Sequence, residues 1–472
     1  MIVALSTLIL IPCYWHRRIE AGDLGSHTYN AWLAGLIAEG RAPGLYIAPQ
    51  WNNVIVDIAL TSLGRAFGFI VAERMVTSVC VLIFFWGAFA FIAASTARSP
   101  WFVVPAIAMI SYGYIFYSGF LNFYLSLGLA FLSAALFWRG TRADYILGVA
   151  LAIVTLAAHP MGFGLLVSLV IYIRLAERTN EWYRWLVPAS AFLAVLGVHF
   201  CVLRFKTAEW RGSHSLLMTG ADQLYLFGPR YRLLAGAVLL IGSICFVTAA
   251  IQDWRQFSPL PRFRTPFELW TLLVFSAAML PETIWLPQYA APFSAIVSRL
   301  TSVTAVLGLC VLSSVRPRHW ILAVLAACAA LFFAFQYQDT SLLNKMEQRT
   351  ETLVSGLPPW ERVTYTLSLG DHNRINSRHL VDRACIGRCF TYSNYEPRTG
   401  MFRLRMSPGS PVLSDSQQAG HDMEQGEYVV RAEDLPMAQI YQFDEKDLTK
   451  LGIRQLVAGE KNGRLGWRPP SP

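Results

Sequence analysis

Apolar stretches recur along this chain from its first residues to Phe335, and several reach the roughly 20 residues that a helix needs to cross a bilayer. Segments of that kind fold as helices, because inside a bilayer every backbone N–H and C=O has to be paired within its own segment. The rest of the composition agrees: 54% of the 472 residues are hydrophobic and 15% charged, too apolar for a soluble protein of this length. Eleven spans are expected, near 1–15, 70–96, 101–118, 123–138, 143–158, 163–174, 185–203, 231–251, 266–287, 294–315 and 319–335. The 1–15 stretch is short, with no basic residue before it and no small-residue cleavage site after it. It therefore resembles neither a complete span nor a signal peptide, and the sequence reads as starting downstream of a natural start.

Arg and Lys collect in alternate connections: Arg98, then Arg139 and Arg142, then Arg174, Arg178 and Arg184, then Arg255, Arg262 and Arg264, then Arg316 and Arg318. The connections around Phe120, Met161 and Tyr289 carry none. Because basic residues stay cytoplasmic in short loops, this alternation places the N-terminus inside. The 16–69 and 204–230 loops and the C-terminal domain are then expected outside. The net charge of +9 is spread as short clusters between spans and not as one patch, so it marks topology and does not indicate nucleic-acid binding. Arg dominates over Lys and no Asn-x-Ser/Thr acceptor occurs, which leans toward a bacterial inner (cell) membrane.

After Gln336 the chain becomes polar. The expected organisation is a transmembrane domain over 1–335 and a small α/β domain over 345–472, with strands at Val363–Leu369, Cys389–Ser393, Phe402–Met406 and Tyr428–Arg431. This second domain has no Gly-rich phosphate loop, no HExxH and no Ser-centred elbow, so no catalysis is assigned to it. Six cysteines lie in apolar surroundings and act as small hydrophobes. Cys385 and Cys389 form a C-x3-C pair, expected to be oxidised if the domain lies outside the cytoplasm.

The segment GDLGSHTYNAWLAGLIAEG joins polar chemistry to an amphipathic helix. With Ser26 as cap and Gly40 as stop, Tyr29, Trp32, Leu33, Leu36 and Ile37 make one apolar stripe suited to a membrane surface. Asp23, His27, Asn30 and Ala34 face the other way, and the carboxylate and imidazole, four residues apart, share a helix face over a wet cavity. A capping Asp and a surface His are the plain alternative. Juxtamembrane helices are expected at about 27–39 and 54–67.

Ionisable residues are costly within spans and mark candidate sites. Glu73 and Arg74 begin the second expected span, His159 ends the fifth, His199 the seventh, Glu282 nears the end of the ninth, and Arg299 begins the tenth. Under the topology above all six come near the outer face, level with Asp23, His27 and Asp57, although such residues are also simply cheap to place at an interface. The motif AHPMGF favours a re-entrant bend at His159. The 204–230 loop offers Arg204, Lys206 and Arg211 to a phosphate; a basic loop touching anionic headgroups is the plain alternative.

These features resemble the GT-C superfamily of membrane glycosyltransferases. The resemblance rests on Asp23 in GDLGSH shortly after the first span, on the two juxtamembrane helices, on eleven spans and an exoplasmic C-terminal domain, and on GFLNFYLSLGLAFL followed by AHPMGF. Beyond about residue 165 only topology matches. The resemblance implies a polyprenyl-phosphate-linked sugar as donor, and transfer at the outer face of the membrane to the hydroxyl of a glycan, lipid or protein acceptor. Asp23 would be the base, and His27 would orient it or bond the sugar. His159, Arg204, Lys206, Arg211, Arg299, Asp57 and Glu73 would bind substrate. Many members carry a second acidic residue near the first; here Glu39, Asp57 and Glu73 compete for that place, which leaves a divalent metal open. The other readings are an O-antigen ligase or polymerase, a transporter, and a non-catalytic envelope protein.

Overall fold

The computed structural model describes residues 1–210, 218–256, 261–314, 319–367, 375, 379–414, 416–444 and 447–463. It is 65% helical. In chain order the elements are α1 (Ile2–Leu10), α2 (Leu24–Ala38), β1 (Leu45–Ile47), α3 (Ile55–Phe67), α4 (Phe69–Thr96), α5 (Val104–Ser111), α6 (Tyr114–Tyr117), α7 (Leu121–Arg139), α8 (Arg142–Ala158), α9 (Pro160–Arg178), α10 (Leu186–Phe205), β2 (Thr207–Glu209), α11 (Pro229–Gln256), α12 (Pro261–Met279), β3 (Thr283–Trp285), α13 (Ile296–Ser313) and α14 (His319–Ser355). The polar third adds β4 (Arg362–Thr366), α15 (Leu380–Ala384), β5 (Phe390–Thr391), α16 (Glu396–Thr399), β6 (Leu404–Met406), α17 (Gln417–Gln425), β7 (Met437–Gln442) and β8 (Leu451–Gln455).

Seven helical segments among the described residues are long and apolar enough to cross a membrane. They lie in α4, α7, α9, α10, α11, α13 and α14. Against the eleven spans expected, 101–118 is not one helix: it breaks between α5 and α6, where Tyr112 and Gly113 leave the helical geometry. The 1–15 stretch is helical only through Leu10, followed by a short 3-10 turn. The helix expected at 319–335 runs on to Ser355.

The chain forms two compact units. One comprises 1–10, 78–287 and 292–335; the other comprises 11–77, 288–291 and 336–472. Residues 11–77, expected within a 1–335 domain, therefore fold with the polar third, and that third is not a separate domain. In the first unit α4 and α7 approach at glycines: a Cβ on Gly87 would come within 2.3 Å of the Gly128 carbonyl oxygen, so only small residues permit the crossing. Phe84, Phe91 and Phe131 fill the space beside it. The connection at His159 is no re-entrant loop. His159 is a single extended residue between α8 and α9, whose ring accepts the Met161 N–H (3.1 Å) and caps α9 ahead of Pro160.

In the second unit a four-stranded sheet, ordered β5-β4-β7-β8, is parallel except for the β7–β8 pair. The expected strands at 363–369, 389–393 and 402–406 appear in shortened form as β4, β5 and β6. At 428–431 only an isolated bridge forms, between Val429 and Lys461. Strand β7 escaped the sequence reading because it is buried on both faces and its sequence MAQIYQ lacks an alternating pattern. Cys385 and Cys389 are joined in a disulfide just after α15.

The apolar stripe of α2 lies in this unit's core. Tyr29, Trp32, Leu33 and Leu36 pack with Val363, Tyr365, Leu380, Val381, Phe390 and Ile440, so protein and not lipid covers it. β1 pairs antiparallel with β6, Leu45 opposite Met406, and fixes the chain after α2 against the polar third. Gly40, at φ +70°, ends the helix as expected.

Candidate functional site

The start of α2 gathers four buried ionisable side chains, His27, His379, Asp382 and Glu396. The helix begins at Leu24, one turn earlier than a Ser26 cap would allow, and Asp23 occupies the N-cap position without making a side-chain cap bond. Ser26 is unavailable as a cap because its hydroxyl donates to Glu396 Oε1 (2.9 Å) and accepts from Asn30 (3.2 Å). Asn30 in turn accepts from Asn394 (2.7 Å). A polar row along α2 is thus bonded to residues 394–396.

His27 does not orient Asp23. Its Nδ1 lies 2.8 Å from Asp57 Oδ1, at the start of α3, and 3.6 Å from Glu396 Oε1. Burial by itself would lower this imidazole, but Asp57, Glu396 and Asp23 outweigh burial and hold it at about 10. Burial pushes Glu396 upward, and although His27 opposes the rise, the carboxyl settles at about 7. Asn30, Ala34, Asp57, Glu396, Phe402 and Arg403 line a cleft along this face, and Arg403 donates to Thr61 Oγ1 (3.1 Å).

The imidazole at Asp23 is His379. Its Nε2 lies 3.5 Å from Asp23 Oδ1, and its Nδ1 lies 2.7 Å from Asp382 Oδ2, one turn along α15. Burial would lower His379, but its hydrogen bond and charge contact with Asp382, together with the charge of Asp23, hold it at about 9. Gly25 makes the approach possible, since a Cβ there would meet the His379 carbonyl oxygen at 2.3 Å. The side chain of Asp23 keeps 21% of its surface exposed while that of Asp382 is fully buried, so Asp23 is the reachable end of the chain Asp382–His379–Asp23.

Both histidines have folded pKa values above their ordinary 6.5, so the stability they contribute is complete below pH 6.5 and is lost as pH rises through about 9 and about 10. The gap in thermal midpoint between the wild type and His27→Gln in detergent is therefore expected to be widest near pH 6 and to close toward pH 10. A gap constant across that range would refute the ion pair.

The other expected site residues go elsewhere. Glu73 is buried, within 3.5 Å of Arg383 and 3.7 Å of Arg18, in an ion cluster with Glu20 and Glu347; it is not placed to meet a ligand. His159 and Arg299 belong to the first unit, where both meet Phe123, ring centroid 5.5 Å from the imidazole and 5.6 Å from the guanidinium. Arg204 and Lys206, in the same unit, are exposed at the end of α10. Arg211 lies outside the described residues. Glu282 accepts from the Val297 N–H and the Ser298 hydroxyl at the start of α13, a capping role.

Glu396, His379, Asp382 and Arg403 were missed. His379 and Asp382 do stand three apart, as on one helix face, but nothing in the sequence ties them to Asp23. No group of three His, Cys, Asp or Glu side chains that could hold a metal occurs among the described residues. No protein-family model matches the chain, and no curated protein or solved structure matches it either.

Proposed function

We propose that this protein is an integral-membrane glycosyltransferase that moves a sugar from a polyprenyl-phosphate donor to an acceptor hydroxyl at the outer face of the membrane. The observation that carries the reading is Asp23: a partly exposed carboxylate 3.5 Å from the imidazole of a buried His379–Asp382 pair, in a chain rich in helices able to span a bilayer. A carboxylate so held can accept a proton from a fixed direction. The acceptor oxygen attacks the anomeric carbon, its proton passes to Asp23, and the bond from that carbon to the phosphate oxygen breaks, the electron pair leaving with the lipid phosphate. His379 stays protonated and steadies Asp23 before transfer. Arg403, in the cleft lining, supplies a cation for the departing phosphate.

The test is the glycan or glycolipid profile of a deletion strain with and without the complementing gene, together with mass spectrometry of lipids that co-purify. Loss and recovery of one sugar-bearing product supports the reading; identical profiles end it. The reading also places the N-terminus in the cytoplasm and residues 345–472 outside, on the alternation of Arg clusters. A reporter fused after Pro472 is expected to be active only when it is exported. Activity confined to the cytoplasm would remove the outer-face chemistry altogether.

A further inference from the structure

Where the second unit's chain passes into apolar helix, aromatic and basic side chains gather. Trp15 meets Tyr337 edge-on (5.5 Å between ring centroids), and His16 lies against the same ring (4.7 Å). Arg74 donates to the carbonyls of His16 and Arg17 (2.9 and 3.2 Å) and lies over Tyr14 at 5.7 Å. Each of these residues adjoins an apolar run: Trp15 ends the first, Arg74 lies in the first two turns of α4 just before its long apolar run from Met75, and Tyr337 comes two residues after Phe335 in α14. Aromatic rings with one wet end, and cations beside them, favour the headgroup level of a bilayer.

Beside them is an open cleft of about 210 Å³, lined by His16, Arg17, Arg18, Asn344 and Lys345 with Glu347 and Glu351. The two carboxylates do not make it acidic. Glu351 is taken by Arg17 and Arg18 (2.6 and 3.0 Å), and Glu347 by Arg383. Lys345, exposed, and Arg74, half-buried, have no acidic partner among the described residues. Arg17, Arg18, Arg74, Lys345 and Arg383 set against Glu20, Glu73, Glu347 and Glu351 leave one positive charge over, beside the aromatic cluster.

We propose that this cleft binds the phosphodiester headgroup of an anionic glycerophospholipid, with Lys345 of its lining facing the phosphate and Arg74, bonded to the carbonyls of the lining residues His16 and Arg17, adding a second cation beside it. This site is distinct from the one at Asp23 and does not depend on sugar transfer.

The full chain is reconstituted in nanodiscs of phosphatidylcholine alone or mixed with phosphatidylglycerol, and retained lipids are counted by native mass spectrometry. The wild type is expected to retain phosphatidylglycerol in preference to phosphatidylcholine. Lys345→Gln should weaken that retention about 5-fold, as should Arg74→Gln, each losing one cation near the headgroup plane. Lys450→Gln, on a cation paired with Asp444 and not part of the cleft lining, should leave it unchanged. Since Arg74 also holds two carbonyls, the exposed Lys345 is the deciding variant should Arg74→Gln fail to fold. Equal retention by wild type and Lys345→Gln, or equal retention of the two lipids, would overturn the proposal. So would inorganic phosphate raising the thermal midpoint in detergent as much as phosphatidylglycerol does, since the cleft would then be a site for a free anion.

Discussion

Asp23→Asn is expected to lower product formation about 10²–10⁴-fold while leaving the protein inserted and folded, the range lost when a positioned general base is removed. The change keeps the side chain's shape and removes only the charge that accepts the proton. His379 would still find an oxygen within reach, so the surrounding packing should hold. Asp57→Asn serves as the companion variant: it breaks the pair with His27 and should reduce both stability and product, whereas Asp23→Asn should reduce product alone. Product is measured in the complemented deletion strain and folding by the thermal midpoint of the purified protein. Wild-type product from Asp23→Asn would withdraw the catalytic assignment and favour a non-catalytic role.

Arg383→Met should be the most destabilising single change in the second unit. Its guanidinium donates to Glu347 through Nε (2.9 Å) and again through Nη2, to Glu20 (3.0 Å) and to the Ile19 carbonyl (2.8 Å), with Glu73 at 3.5 Å. All three carboxylates are buried. Removing the cation leaves Arg18, 3.4 Å from Glu347 and 3.7 Å from Glu73, to offset three buried carboxylates, and breaking a buried pair from one side costs about 3–5 kcal/mol. The variant is expected to accumulate poorly or to melt well below the wild type in detergent. Adding Glu347→Gln should recover part of the loss, because it removes one of the stranded charges. A midpoint for Arg383→Met within error of the wild type would show that the cluster contributes nothing to folding.

The helices were legible where periodicity and length speak for themselves. The second juxtamembrane helix, expected at 54–67, is α3 at Ile55–Phe67, and the first, expected at 27–39, is α2 at Leu24–Ala38. What covers α2 was not legible. An amphipathic stripe reports only that something apolar lies against it, and lipid and a protein core satisfy Tyr29, Trp32 and Leu33 equally well. The deciding partners, Val363 and Phe390 among them, lie more than 300 residues away in sequence. The same distance hid half of the candidate site. Asp23, His27 and Asp57 stand close together in the chain and were found, whereas His379 and Glu396 sit in a polar segment with no motif around them. Glu73 misled for a related reason: a carboxylate at the head of an apolar helix looks the same whether it meets a ligand or a buried arginine.

Because α2 is sealed by strands from the far end of the chain, the second unit imposes an order on biosynthesis. Once Thr77 has been made, 258 residues, 78–335, must be added before the segment that begins at Gln336 and carries those strands is started. At about 5–20 residues per second this takes roughly 10–50 s. Through that interval the stripe of Tyr29, Trp32, Leu33 and Leu36 has no strands to cover it, and the bilayer surface is the nearest apolar phase. Chains truncated before Gln336 are accordingly expected to be cut by protease within 24–38 in detergent and shielded there in membranes, whereas the full chain resists in both. Cleavage of the truncated chain that is the same in both settings would mean that the stripe waits for its partner without help from the lipid.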